Sequence, residues 1–283
     1  MVSLGIYEKA LPRDISWKER LELTKELGFD FLEFSIDESD ERLARLEWTD
    51  EQIAELRDAI WETNVPIYTM MLSGHRRYPL GSKDAKIREK SLEMFEKAVN
   101  LASKLGIRNI QMAGYDVFYE EKDVLTRELY KENLRKCVEL AASKQVTLAI
   151  ETMDDPFINS LAKVQRYKDE IKSPWLQAYP DLGNMSAWLG DGIIDDIEQH
   201  VDIIAAIHLK DTLPVTATSK GKFKNVPFGE GCVDFKGLLY MLKKLNYQGT
   251  FTVEIWSQEN FDDPIPDVKA AKAFFDEIFQ EVY

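Results

Sequence analysis

Short apolar runs, rich in β-branched and aromatic residues, recur along the whole chain at intervals of about 35 residues, the length of one strand–helix unit with its loops. Each run is nearly continuous in apolar character, as expected of strands that are buried on both faces of a parallel sheet. They predict eight strands: Val2–Tyr7, Phe31–Ile36, Val65–Leu72, Ile107–Met112, Val146–Ile150, Trp175–Tyr179, Ile203–Leu209 and Thr250–Ile255.

Segments with the apolar spacing of amphipathic helices separate these runs. The clearest begins at Ser16, an N-cap residue with Glu19 three positions further on, and stops at Gly28, which suits the turn that ends a helix. The predicted helices are Ser16–Leu27, Thr49–Thr63, Ala85–Leu105, Lys131–Lys144, Leu161–Lys172, Ile193–His200, Phe235–Leu245 and Pro266–Val282.

Strand and helix thus alternate along the chain without a Pro-, Gly- or Ser-rich linker or a low-complexity tract. This pattern favours an α/β fold, a closed (β/α)8 TIM barrel, which takes about 250 residues plus loops. The chain has 283 residues, so we predict a single barrel domain over residues 1–283. The alternative is an open doubly wound sheet, but the first strand lacks the Gly-rich phosphate turn typical of that fold.

Charge and composition restrict the partners. Lys and Arg number 36 against 50 Asp and Glu, and the resulting net charge of −14 disfavours nucleic acid but leaves a small anionic metabolite possible. No stretch approaches the ~18 apolar residues of a membrane span, and the first residues do not resemble a signal peptide. Cys137 and Cys232 are far apart in the sequence and belong to no motif, which fits reduced thiols better than a disulfide framework. We therefore expect a cytoplasmic protein without a membrane partner.

Residues that can bind a metal stand at the carboxyl ends of the last four predicted strands. They are Glu151, Asp181, His208 and Glu254. In a TIM barrel these strand ends meet at the rim that carries the active site, so the four side chains are expected to converge.

Three carboxylates cannot lie close together as anions without a counter-charge, and a divalent cation supplies one. An O/O/O/N ligand set suits Zn²⁺, Mn²⁺, Mg²⁺ or Co²⁺, and the sequence does not choose among them. Any one of these residues alone would be explained as a helix cap, an ion-pair partner or a structural histidine. Four on consecutive strands predict a site for one divalent metal ion.

Several segments carry a resemblance to a known family. They are Leu4–Pro12, Ile150–Met153, Asp181–Trp188, His208–Asp211, Val226–Phe235 and Val253–Trp256. Together they resemble the L-ribulose-5-phosphate 3-epimerase family of xylose-isomerase-like TIM barrels, over almost the whole chain. The first and fifth segments are specific to that family, whereas the four candidate ligands mark only the wider superfamily.

The resemblance implies one divalent metal held by Glu151, Asp181, His208 and Glu254, with the two glutamates also moving protons as catalytic residues. It implies the interconversion of L-ribulose 5-phosphate and L-xylulose 5-phosphate, in pentose or ascorbate breakdown. Epimerisation at C3 removes a proton next to the C2 ketone and returns one to the opposite face. That chemistry needs two acid–base groups, one on each side of the substrate, and a charge that stabilises the enediolate.

A phosphorylated substrate needs cations of its own, and two loops supply candidates. Ser73, His75 and Arg76 follow the third predicted strand, and Lys222 and Lys224 follow the seventh. TIM barrels often bind phosphate after strands 7 and 8, which favours the lysines, although basic loops are commonly just solvated.

Further polar residues are expected near the same rim. Asn184 and Lys210 follow Asp181 and His208 closely and would line the site, with a rim ion pair as the alternative role of the lysine. Glu8 and Lys9 end the first strand and would contact substrate or a loop.

Other functions remain open on the same barrel. A 3-epimerase or isomerase of a free ketose or of a hexulose 6-phosphate would use the same metal. A barrel that nicks DNA at abasic sites would need extra histidines for additional zinc ions, and the chain has only three histidines. A non-catalytic sugar- or metal-binding barrel is a third alternative. The favoured partner is a small sugar phosphate, with a homodimer possible.

Overall fold

The computed structural model describes residues 2–256 and 263–283, and in these residues eight parallel strands form one sheet. The strands are β1 Leu4–Tyr7, β2 Phe31–Ile36, β3 Ile67–Leu72, β4 Asn109–Ala113, β5 Thr147–Glu151, β6 Leu176–Tyr179, β7 Ala206–Leu209 and β10 Thr250–Val253. Between the last two, β8 Leu213–Val215 and β9 Lys220–Lys222 form a separate antiparallel hairpin.

The sheet curls into a barrel. Its strands are ordered β6-β5-β4-β3-β2-β1-β10-β7, so neighbours in the chain are neighbours in space. The outer strands β6 and β7 meet through two isolated parallel bridges, Ala178 with Ile204 and Asp181 with His208. The predicted barrel is therefore confirmed, and the open doubly wound sheet is wrong because the strand order never reverses.

Helices cover the outside of the barrel. Their bounds are α1 Trp17–Glu26, α2 Asp40–Leu43, α3 Asp50–Thr63, α4 Ala85–Leu105, α5 Val124–Ser143, α6 Leu161–Ile171, α7 Leu182–Leu189, α8 Gly192–His200, α9 Phe235–Lys244 and α10 Ile265–Val282. Single 3-10 turns span Glu8–Ala10, Ala44–Glu47, Gly74–Arg76 and Val201–Ile203. Within the described residues, none of these helices combines the length and the apolar character that crossing a bilayer requires.

Local sequence signals set most helix ends. Ser16 and Glu19 form the predicted capping box, and Gly28 adopts the left-handed conformation at a φ of +83°. The prediction of a helix from Lys131 was wrong at its start, because α5 begins at Val124 under a capping box formed by Asp123 and Thr126. Val124 is 75% exposed, so the first turn of α5 shows no apolar stripe by which the sequence would reveal it.

The main core lies between the strands and the helices, where the apolar faces of both are buried. The interior of the barrel is more polar at the carboxyl end of the strands, where Glu33, Tyr179, His208 and Thr252 are all fully buried. Burying such groups is tolerable only when they bond one another, and this polar floor underlies the candidate site.

Candidate metal centre

The four predicted ligands converge at the carboxyl end of the barrel. Glu151 ends β5, Asp181 follows β6, His208 lies in β7 and Glu254 directly follows β10. One potential ligand atom from each residue lies within 4.8 Å of those of the other three. All four residues are buried, with exposed fractions of 4% or less. Parallel strands bring these residues to one rim, as the sequence predicted.

Asp181 is held by the start of α7. Its Oδ1 accepts the backbone N–H of Asn184 at 2.8 Å, which makes Asp181 the N-cap of that helix. The hydroxyl of Thr152 accepts a hydrogen bond from the backbone N–H of Asp181 at 2.9 Å. The capping bond occupies Oδ1 and leaves Oδ2 without a role in the cap.

His208 spans the site and the barrel interior. Its Nδ1 lies 3.1 Å from Oε1 of Glu151 and 3.6 Å from Oε2 of Glu254. Its Nε2, on the other side of the ring, lies 2.6 Å from Oε1 of Glu33 in β2. The imidazole is thus enclosed by carboxylates on both sides.

Lys210 and Trp256 complete the surroundings of the carboxylates. Nζ of Lys210 lies 2.8 Å from Oδ2 of Asp181 and 3.0 Å from Oε2 of Glu254. The indole N–H of Trp256 donates to Oε1 of Glu254 at 2.8 Å. Lys210 therefore neutralises part of the negative charge, and Trp256 fixes the rotation of the Glu254 carboxylate.

Burial and charge shift the pKa values of these groups in different directions. Burial raises the pKa of Glu151, opposed by His208, and raises that of Asp181 to about 7, opposed by Lys210. Although burial alone would raise it, the pKa of Glu254 is held well below its usual range by the charges of Lys210 and His208. Burial disfavours the cationic forms of His208 and Lys210, but the surrounding carboxylates hold both pKa values above their usual ranges.

The residues present fit a divalent cation. Oδ2 of Asp181 and Oε2 of Glu254 are buried, and despite the nearby Lys210 neither forms a hydrogen bond of good geometry with any described residue. Buried carboxylate oxygens in this state are costly unless another positive partner completes them. Three carboxylates and one imidazole form a ligand set that Zn²⁺, Mn²⁺, Mg²⁺ and Co²⁺ all accept.

A small cavity opens beside the four residues. Its free volume is about 20 Å³, which is room for about one water molecule. Its walls are formed by Met71, Ser73, Arg76, Glu151, Met153, Asp154, Asn184, Lys210, Phe223, Lys224, Glu254 and Trp256. Polar and cationic side chains therefore share the cavity with two of the candidate ligands.

Comparison with known proteins identifies the family. The xylose isomerase-like TIM barrel model matches residues 21–278. The putative L-ribulose-5-phosphate 3-epimerase SgbU of Escherichia coli K12 is 51% identical over 278 residues, covering 98% of this chain and 96% of that protein. The L-ribulose-5-phosphate 3-epimerase UlaE of E. coli O157:H7 is 48% identical over 271 residues, covering 96% and 93%. The chain belongs to the L-ribulose-5-phosphate 3-epimerase family.

As a member of that family the chain is an epimerase, an isomerase that acts on carbohydrates. Solved structures confirm its fold. The L-ribulose 3-epimerase structure superimposes with a TM-score of 0.78 at 18% identity and covers 100% of this chain and 96% of its own. The IOLI protein, solved with a binding zinc atom, gives a TM-score of 0.80 at 17% identity, covering 100% and 99%.

The epimerase fold brings most of the predicted substrate residues to the cavity. Ser73, Arg76, Asn184, Lys210 and Lys224 all contribute to its walls. The guanidinium of Arg76 lies over the rings of two aromatic residues that follow β4, Tyr115 at 5.6 Å and Phe118 at 5.3 Å.

Two predicted phosphate residues lie outside the cavity walls. His75 is buried in the 3-10 turn after β3, where its ring packs against Phe95 at 6.2 Å, and burial lowers its pKa to about 4. Lys222 is exposed in β9, paired across the hairpin with Leu213. In both cases the turn of the backbone, rather than the residue type, decides where the side chain lies.

Glu8 makes the loop contact that was one of its two predicted roles, and it is not part of the cavity wall. Glu8 is fully buried, and its carboxylate lies 2.5 Å from Arg42, 2.7 Å from Arg45 and 3.8 Å from Arg20. Its neighbour Lys9 pairs with Asp37 and lies over the ring of Trp256 at 4.5 Å. Glu8 and Lys9 therefore both contact the connection that follows β2, as the sequence predicted for a loop contact.

Sequence reasoning missed Glu33, which bonds a candidate ligand directly. Glu33 lies within the apolar run of β2 and not at its end. A search for polar residues at the carboxyl ends of strands therefore does not find it. A signal was present, because a charged residue in a strand buried on both faces needs a buried partner.

Proposed function

We propose that this epimerase interconverts L-ribulose 5-phosphate and L-xylulose 5-phosphate at C3 in a metal-dependent reaction. The observation that carries the proposal is the convergence of Glu151, Asp181, His208 and Glu254 within 4.8 Å, beside a cavity with cationic walls. The names of the SgbU and UlaE relatives support the substrate, and the zinc in the IOLI structure supports a metal on this fold.

Glu151, Asp181, His208 and Glu254 would hold the metal. The chemistry that a divalent cation held there would supply is polarisation of the ketone and stabilisation of the negative charge that develops when the C3 proton leaves. Lys210 remains beside Asp181 and Glu254, where its positive charge limits the repulsion between the carboxylates.

Glu151 and Glu254 are the proposed acid–base pair. They reach the cavity from β5 and β10, strands that are not adjacent in the barrel, so their carboxylates approach a substrate from different sides. One glutamate removes the C3 proton and the other returns a proton to the opposite face, and the roles reverse with the direction of reaction. Trp256 holds the carboxylate of Glu254 in place through its N–H.

Arg76 and Lys224 are the proposed phosphate contacts, because both supply a cation to the cavity wall. The hydroxyl of Ser73 and the side-chain amide of Asn184 offer further hydrogen bonds to the sugar. The second candidate function is the epimerisation of a free ketose or of a hexulose 6-phosphate. Structural neighbours named for D-allulose and L-ribulose favour a free sugar by fold alone, whereas the two cations favour a phosphate.

An NMR assay of L-ribulose 5-phosphate in D₂O tests the proposal. We expect the metal-stripped protein to be inactive and the protein restored with Zn²⁺ or Mn²⁺ to form L-xylulose 5-phosphate carrying deuterium at C3. Glu151→Gln and Glu254→Gln should each abolish conversion while still exchanging the C3 hydrogen of one epimer only. Conversion without deuterium at C3 would contradict the mechanism, and equal turnover of free L-ribulose would favour the second candidate function.

A further inference from the structure

We infer that Glu33 is a positioning residue that determines which ring nitrogen of His208 faces the metal. The inference rests on the metal site of the proposed function and extends it to a residue within the barrel. Glu33 is fully buried, and its Oε1 lies 2.6 Å from Nε2 of His208, the shortest contact that the imidazole makes with a carboxylate. A hydrogen bond of this length between a ring nitrogen and a carboxyl oxygen is a strong one.

The Glu33 carboxylate is itself held in place. Its Oε2 accepts hydrogen bonds from the hydroxyl of Thr69 at 2.6 Å and from the hydroxyl of Tyr179 at 2.9 Å. The ring of Tyr179 also packs edge-on against the imidazole of His208, with 4.7 Å between the centroids. Neither the carboxylate nor the imidazole can rotate without breaking these contacts.

The backbone of β2 contributes to this arrangement. The pairing of β2 with β3 shifts register between Leu32 and Glu33, and such irregularities re-aim a side chain relative to its neighbours. Glu33 thereby reaches across the barrel to β7 on the far side of β1 and β10.

The contact with Glu33 gives the two ring nitrogens of His208 different roles. A nitrogen that donates its proton to Glu33 has no lone pair for a cation, so Nε2 is excluded as the ligand atom. Nδ1 remains, and it is the nitrogen that faces Glu151 at 3.1 Å and Glu254 at 3.6 Å. Glu33 thus assigns the two ring nitrogens, one to itself and one to the metal.

Glu33→Gln tests this by removing the charge while keeping the shape. The hydroxyls of Thr69 and Tyr179 accept as well as donate, so the amide retains partners. We expect calorimetric titration of the metal-free protein with Zn²⁺ to show a Kd raised about 10- to 100-fold in Glu33→Gln. Thr69→Val is the matched control, since it removes a hydrogen bond to the same carboxylate without changing the charge at His208, and its Kd should change far less.

NMR of ¹⁵N-histidine gives a second readout that needs no variant. The chain has only three histidines, so the spectrum of the Zn²⁺-loaded protein is simple to assign. We expect Nε2 of His208 to be protonated and Nδ1 to be bound to zinc. A proton on Nδ1, or an unchanged Zn²⁺ affinity in folded Glu33→Gln, would overturn the inference alone. If the wild-type protein binds neither Zn²⁺ nor Mn²⁺, both the inference and the metal site of the proposed function fail.

Discussion

At the residue scale, Lys222 and Lys224 form a natural pair for comparison. They are two positions apart in the chain, yet Lys224 lines the cavity whereas Lys222 is exposed on the hairpin. Nζ of Lys224 also lies 3.7 Å from the centre of the Trp256 ring, which orders the side chain at the cavity mouth.

Charge reversal at these two positions should therefore have unequal effects. We expect Lys224→Glu to raise the KM for L-ribulose 5-phosphate at least about tenfold, because a lost charge-assisted contact to phosphate is replaced by repulsion. Lys222→Glu should leave the KM unchanged. Steady-state kinetics of both variants checks this, and equal KM values in the two would remove Lys224 from the phosphate site.

The residue types alone did not predict that Lys224 lines the cavity while Lys222 is exposed. Glu151, Asp181, His208 and Glu254 were predictable because a strand end fixes where a side chain lies whatever the loop beyond it does. Residues in loops have no such constraint, which is why Lys222 was not distinguished from Lys224 and why His75 was expected at the cavity.

At the scale of elements, the acidic end of β1 is tied to the segment that follows β2. Glu8 contacts Arg42 in α2, Arg45 in the 3-10 turn that follows it, and the backbone N–H of Ser35 at 2.8 Å. Arg20, Arg42 and Arg45 are all at least 92% buried, and each forms an ion pair with Glu8, while Arg42 also pairs with Asp37. One glutamate thus joins elements whose sequences are far apart.

Glu8→Gln should lower the free energy of unfolding by about 3–5 kcal/mol at pH 7, because it removes the carboxylate that pairs with the buried guanidinium groups of Arg45 and Arg20. Despite burial, Arg45 and Arg42 hold the pKa of Glu8 in the folded state below its ordinary value of 4.5. The unfolded chain therefore takes up the proton first, and the stabilisation is complete above pH 4.5 and lost as the pH falls below it.

Denaturant unfolding of the wild type and Glu8→Gln across this pH range measures the effect. Glu22→Gln on the exposed face of α1 is the control, and it should shift stability by less than about 0.5 kcal/mol. If the difference in free energy of unfolding between the wild type and Glu8→Gln does not become smaller at low pH, then Glu8 stabilises the fold through packing and not through its charge.

The elements themselves were largely predictable, and the exceptions have physical causes. The bounds of α4 match the prediction, because its apolar stripe is long and Gly106 ends it. α7 escaped notice because nearly all of its side chains are buried, so it shows no alternation of apolar and polar faces. The β8–β9 hairpin is short and exposed, and an exposed strand carries little hydrophobic signal.

At the scale of the whole molecule, the barrel has one weakly paired seam. Every other pair of neighbouring strands shares a ladder of at least three residue pairs, whereas β6 and β7 meet at isolated bridges, with Ala205 N–H bonded to Ala178 C=O at 2.9 Å. Asp181 and His208 face each other across this seam. A metal bound by both would link the two edges of the sheet.

Removing the metal should therefore loosen the seam more than the rest of the barrel. We expect a chelator to speed amide hydrogen exchange over residues 204–209 and to lower Tm, since a cation that binds only the folded state stabilises it. Peptides that cover Ile67–Leu72 in β3 provide the internal control. Exchange that rises equally in β3 and β7 would contradict a link at the seam.

The fluorescence of Trp256 can report on the proposed phosphate site. Its indole N–H donates to Glu254, the ammonium groups of Lys9 and Lys224 both lie over its ring, and the side chain is 5% exposed. Indole emission responds to nearby charge, so displacement of Lys224 toward a phosphate would change the fluorescence without any added dye. Trp61, at 87% exposed, can be silenced with a soluble quencher that does not reach Trp256. The protein thus carries a built-in fluorophore between its proposed metal and phosphate sites.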